Sequence, residues 1–160
     1  MTSLINRIKA FVSPREPATF KAHMNRLVKA RGLSSYKLGS LRHVLGTEDH
    51  KSLNFNTVRQ VAVVLGVKAE WIVNIGAKVP DPITWVNDAF PDTLGGMRDT
   101  AYIRYADAVY ASGRSLAQMQ KMGFDIRQQR LPRLGKLLEV SRMLEVEPEY
   151  LLCLREVPRG

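Results

Sequence analysis

The side chains best suited to chemistry in this 160-residue chain are guanidinium, amide and hydroxyl groups gathered in three short polar stretches. Residues 125–133 carry Arg127, Gln128, Gln129, Arg130 and Arg133. Residues 47–56 carry His50, Lys51, Ser52, Asn54 and Asn56, with Glu48 and Asp49 at their start. Residues 34–43 carry Ser34, Ser35, Tyr36, Lys37, Ser40, Arg42 and His43, with no acid. Such groups hydrogen-bond to base edges in a major groove and pair with phosphates, which repel acids. Each stretch also has a plainer reading. A polar helix face is usually a solvated face, His43 and His50 fit ordinary surface or satisfied histidines, and Tyr36 fits core packing.

A catalytic centre is hard to assemble from the rest. His23, His43 and His50 show no metal-ligand spacing with nearby carboxylates, and there is no glycine-rich phosphate loop or zincin helix motif. The paired carboxylates Glu48-Asp49 and Glu147/Glu149 read as charged surface or helix-start residues. The chain is therefore expected not to be an enzyme and to need no metal or cofactor. One cysteine, Cys153, excludes an internal disulfide and fits a reducing cytoplasm. In its apolar run it reads as a small buried hydrophobe. The apolar stretch 61–67 is too short to span a bilayer. Residues 1–18 place Leu4, Ile5, Ile8, Phe11 and Val12 at helical spacing without the apolar core of a secretion signal. They read as an amphipathic arm packed on the body or on a partner, with no membrane involved.

The elements that must position these groups come in two copies. Residues from Arg26 align with residues from Asp107, so that Gly32 falls on Gly113, Ser34 on Ser115, Leu38 on Met119 and Leu41 on Met122. Further on, Val58 falls on Leu137, Val61 on Val140, Leu65 on Leu144, Val67 on Val146, Trp71 on Tyr150 and Ile72 on Leu151. The offset is 81 early and 79 late. Val58, Val61, Ala62 and Leu65 follow the spacing of one buried helix face, capped by Asn56 or Thr57 and ended by Gly66. Leu137, Val140 and Leu144 repeat it, and Pro148 starts the next turn. The expected organisation is an arm (1–18), a first domain (19–76), an ordered linker (77–98) in which Ile83, Trp85, Val86 and Phe90 pack on the domains, and a second domain (99–156). The copies differ in charge. Residues 1–80 hold 13 Lys/Arg and 4 Asp/Glu, a net of +9, whereas residues 81–160 hold 11 of each. Lys29, Arg31, Lys37, Arg42 and Lys51 give the first half the electrostatic footprint of a nucleic-acid binder. In the second, Glu139, Glu145, Glu147 and Glu149 are expected on the surface.

Residues 31–41, ARGLSSYKLGSL with the alanine before them, resemble the opening of the helix-turn-helix domain of lambda-repressor/Cro-like (XRE-type) phage repressors. Gly32, Leu33, Ser34, Leu38 and Gly39 carry that likeness. Residues 56–72, with Leu65-Gly66-Val67 and Glu70-Trp71-Ile72, resemble the family's closing helix. The resemblance implies an all-α fold of two tandem five-helix, lambda-repressor-like helix-turn-helix domains. It implies a sequence-specific, double-stranded-DNA-binding transcription regulator of phage or mobile-element type, cytoplasmic and associated with the bacterial nucleoid. Its partners would be DNA, a second copy of the chain, and RNA polymerase or another regulator. The middle of the domain is several residues shorter than the family's, and two registers stay open. In one, residues 34–44 support, Leu45-Gly46 turns, and the recognition helix is 47–54, or 125–131 in the second copy after a turn at Gly123-Phe124. In the other, Gly32 is the turn glycine, residues 22–30 support, and 34–44 enter the groove. The arginine-rich second copy favours the first register; the first copy fits both. A runner-up function is a helical protein-interaction module, such as an antiactivator or RNA-polymerase adaptor, without specific DNA contact.

Overall fold

The computed structural model describes residues 19–34, 38–46, 49–85, 94–121 and 130–155. These are mostly helical, with no strand among the described residues, and none of their helices is long and apolar enough to cross a membrane. The order is α1 (Phe20–Ala30), the 3-10 helices η1 (Gly39–Gly46) and η2 (His50–Ser52), α2 (Phe55–Leu65), α3 (Ala69–Val73), α4 (Leu94–Ser112), α5 (Leu116–Gln120), α6 (Leu134–Leu144) and α7 (Pro148–Leu151).

The late offset is written into the backbone. α2 and α6 begin and end 79 residues apart, and so do the starts of α3 and α7. Both long helices stop on a left-handed residue, Gly66 at φ 62 and Glu145 at φ 55. The same closing bond follows each stop, from Val67 N to Ala62 O and from Val146 N to Ser141 O. Left-handed backbone suits glycine and costs other L-residues about 1–2 kcal/mol, so Glu145 is a strained copy of a glycine stop. α1 and α4 likewise end on left-handed Gly32 and Gly113, at the early offset of 81.

The buried residues form one cluster that draws on both halves. Phe20, Met24, Leu27 and Val28 of α1 and Val58, Val61, Ala62 and Leu65 of α2 all belong to it, with the 3-10 helix η1 packed on both. Leu134, Leu137, Val140 and Leu144 of α6 join Tyr105 and Val109 of α4. Fully burying each such Val or Leu contributes roughly 1.5–3 kcal/mol. The segment 82–85 crosses the end of α2. Trp85 is buried and its Nε1 donates to Ala62 O (2.9 Å), while Ile83 N donates to Gly66 O (3.0 Å). A Cβ at Gly66 would lie 3.0 Å from the Ile83 backbone, so this crossing needs glycine as well as its φ. α4 begins at Leu94, inside the stretch read as linker. Val86, Phe90 and the arm 1–18 lie outside the described residues.

Three local expectations are corrected. The cap of α2 is Asn54, whose Oδ1 accepts from Thr57 N (2.8 Å), not Asn56 or Thr57. Residues 34–44 do not form one regular α-helix, because Gly39 takes φ +56 and the chain continues as the 3-10 helix Gly39–Gly46. Residues 47–54 do not form a recognition helix. Asp49 caps the turn at Lys51 N (3.2 Å) and Asn54 caps the next helix, leaving room only for His50–Ser52.

Candidate nucleic-acid interface

The two repeats meet along a seam of cross-repeat hydrogen bonds. Leu134 N donates to Leu53 O (2.9 Å), and Arg133 Nη1 donates to Ser52 O (2.5 Å). Arg59 Nε donates to Leu152 O (3.0 Å). Ala69 N, in the first turn of α3, donates to Glu149 Oε1 (3.0 Å). Lys68 at that N-cap supplies no side-chain bond, so a carboxylate from the other repeat caps the helix. Burial pushes the Glu149 carboxyl above its ordinary value, partly offset by the bonds it accepts. Glu149 is 2% exposed, which corrects the expectation of a surface acid. Glu147 is half-buried and pairs with Arg155 at 3.0 Å.

Beside this seam lies an open cleft of about 810 Å³ between η2, the end of α3 and α6. Lys51, Arg133, Lys136 and Arg142 line it, with Asp49, Ser52 and Glu139. Gly135 leaves room for the Lys51 side chain, since a Cβ there would meet Lys51 Cβ at 3.2 Å. Lys136 pairs with Glu139 at 3.3 Å across a well-solvated surface, a contact worth little on its own. Three further cations, Lys51, Arg133 and Arg142, are exposed at its edge.

The structure redistributes the expected site residues. Lys51, Ser52 and Arg133 come together at this cleft, from both repeats. His50 instead stacks on Phe20 at 5.2 Å and 19°, and burial, then Lys51, lower its basicity. Asn54 is a helix cap and Asn56 is half-buried in the first turn of α2. Ser34 is exposed and its carbonyl accepts from Leu38 N (3.2 Å). Arg42 and His43 are exposed on η1, whose Leu38, Leu41 and Val44 are buried, and Arg42 Nε donates back to Gly39 O (3.3 Å). Arg130 is exposed in extended backbone, so the helix expected over 125–131 does not include it. Ser35, Tyr36, Lys37, Arg127, Gln128, Gln129 and the Gly123-Phe124 turn lie outside the described residues. Arg31, expected at phosphates, donates to Leu65 O (2.7 Å) and Gly66 O (3.4 Å) at the end of α2. Lys136 ends the basic face that begins at Arg127 in the sequence, whereas Arg142 was not singled out, although its position on the outer face of the 134–144 repeat marks it as an exposed cation.

Elsewhere, His23 is fully buried and stacked on Trp71 at 3.7 Å. Its Nδ1 accepts from Gly76 N (3.3 Å), so Nε2 carries the proton and donates to Trp71 O (2.8 Å). The bond from Gly76 needs the neutral ring, and burial holds the ring's basicity below the usual value although the bond to Trp71 O works the other way. Cys153 is buried, as its apolar run implied, and burial pushes its thiol up. No cluster of three metal-ligating side chains occurs among the described residues. Comparison with protein-family models, with curated proteins and with solved structures gives no match.

Proposed function

We propose that the chain is a double-stranded-DNA-binding regulator of the helix-turn-helix kind, built as two repeats that share one core. The observation that carries this is the cleft where Lys51 of the first repeat meets Arg133, Lys136 and Arg142 of the second. Cations at the lip of a solvated cleft suit phosphodiester oxygens, which fix a protein's position on a duplex. The net charge of +9 supplies the long-range attraction. Of the two registers, the one with Gly32 at the turn fits better. It leaves Arg42 and His43 exposed on an element whose other face is buried, whereas the η2 turn is packed against α6. Kinship with the lambda-repressor/Cro-like domains rests on the residues around Gly32 and Leu65-Gly66-Val67, together with five successive helical segments in the first repeat.

The test is binding of the full chain to a random-sequence duplex pool, followed by enrichment, over a salt series. Affinity should fall steeply with salt, and Lys51→Ala with Arg142→Ala should flatten the log–log slope by about 2, roughly one per phosphate contact. Absence of duplex binding at low salt would defeat the proposal. An unchanged slope in the double variant would move the contact away from this cleft, and failure to enrich any sequence would remove the regulator.

A further inference from the structure

α4 is apolar on two sides. Its inner side buries Ala101, Tyr102, Tyr105 and Val109. Its outer side presents Ile103, 63% exposed, and Tyr110, 89% exposed, with Ala106 between them. A helix that is apolar all round ordinarily has neighbours all round. The first repeat serves as an internal control. At the offset of 81, Ile103, Ala106 and Tyr110 correspond to Ala22, Asn25 and Lys29, all exposed on a solvated face of α1. The outer apolar face therefore belongs to the second repeat alone and is not a requirement of the repeated architecture.

We infer that the outer face of α4 is a self-association surface, on which two copies of the chain pack this helix antiparallel about a twofold axis between Ala106 and Asp107. The charges select that arrangement. Asp99 and Arg114, both exposed, lie at equal sequence distances on either side of the axis, as do Ile103 and Tyr110. An antiparallel pair sets Asp99 against Arg114 of the second copy and Ile103 against its Tyr110, each contact occurring twice. A parallel pair would set Asp99 against Asp99 and Arg114 against Arg114. A shallow hollow of about 350 Å³, lined by Ala106, Asp107, Val109, Tyr110 and Arg114, seats the incoming Ile103. The helical part of the stripe, from Asp99 to Tyr110, is about 17 Å long at 1.5 Å per residue, and Arg114 follows just past the left-handed Gly113 that ends the helix. One helix pair of that length is a small interface beside the ~1,200 Å² of a standard stable one, so a weak, reversible dimer is expected. This deepens the proposed regulator by saying how its second copy is held, yet it is tested without DNA and stands or falls independently of that reading.

The experiment is sedimentation of the full chain at low salt, from low micromolar to several hundred micromolar. The wild type should shift from monomer to dimer. Tyr110→Glu and Ile103→Glu, each at an exposed position, should weaken association by about tenfold or more while leaving the far-ultraviolet circular dichroism and melting temperature unchanged. Asp99→Arg should also weaken it, and Asp99→Arg combined with Arg114→Asp should restore it. A wild type that stays monomeric throughout, or folded glutamate variants that associate like the wild type, would overturn the surface. Failure of the charge swap to restore association would overturn the antiparallel register.

Discussion

Glu149 offers the sharpest test of how the repeats are joined. Its buried carboxylate accepts from Ala69 N, the first amide of a helix that has no cap of its own. Glu149→Ala removes the acceptor and leaves a buried N–H unpaired, a loss of about 1–3 kcal/mol. For a chain of this size, about 2 kcal/mol lowers the melting temperature by roughly 4–8 °C. Glu149→Gln keeps an oxygen at the same place without the charge. Burial raises the folded-state carboxyl above its ordinary value of 4.5, so the folded protein holds that proton more tightly than the unfolded chain does. Stability from this source is complete below pH 4.5 and is lost as pH rises through the folded value. The glutamine variant does not titrate, so it should gain on the wild type as the pH climbs from acid to neutral. Denaturant unfolding of the three proteins across that range measures both effects. If glutamine and alanine destabilise equally at neutral pH, and wild type gains on glutamine as the pH rises, the cap through a neutral-tolerant oxygen is wrong and the negative charge itself is what α3 requires.

Two further outcomes follow from buried polar groups. His23 is held neutral, so its folded-state value lies below the unfolded 6.5. Stability is kept above pH 6.5 and falls as acid drives the pH down towards the folded value, with a slope of at most about 1.4 kcal/mol per pH unit from this one proton. Urea unfolding that follows tryptophan emission should show this loss, and a curve flat down to pH 5 would contradict it. Ser141 Oγ is buried without a hydrogen-bond partner among the described residues, at the position that Ala62 fills in the first repeat. Ser141→Ala should raise stability by about 1 kcal/mol through removal of that unpaired hydroxyl; a lower melting temperature would mean that the hydroxyl is bonded.

The parts of the fold legible in the sequence are those set by local periodicity. Val58, Val61 and Leu65 fix the inward face of α2, and Leu137, Val140 and Leu144 do the same for α6. Gly66 and Pro148 mark a stop and a start that the backbone uses. The start of α2 was less visible, because the apolar spacing fixes a face and not an end, and Asn54, Asn56 and Thr57 are all competent caps. Placement across long separations was not legible at all. Glu149 reads as one acid among several until Ala69, 80 residues away, is brought to it. Arg31 reads as a phosphate ligand because the carbonyls it caps carry no mark in a sequence. At the cleft, composition could name Lys51, Ser52 and Arg133 as polar candidates, but only the packing of η2 on α6 puts them on one surface.

The shared seam also bears on the order in which the chain matures. Leu53, Arg59 and Ala69 take their hydrogen-bond partners from residues 134, 152 and 149. During synthesis the first repeat leaves the ribosome with its inner side uncovered, and it stays so until nearly the whole chain has followed. Contacts of such long sequence separation form slowly, and apolar surface left waiting is where nascent chains stick to one another. A chain truncated after the first repeat should therefore keep that apolar side uncovered and aggregate, which light scattering of the fragment against the full chain would show.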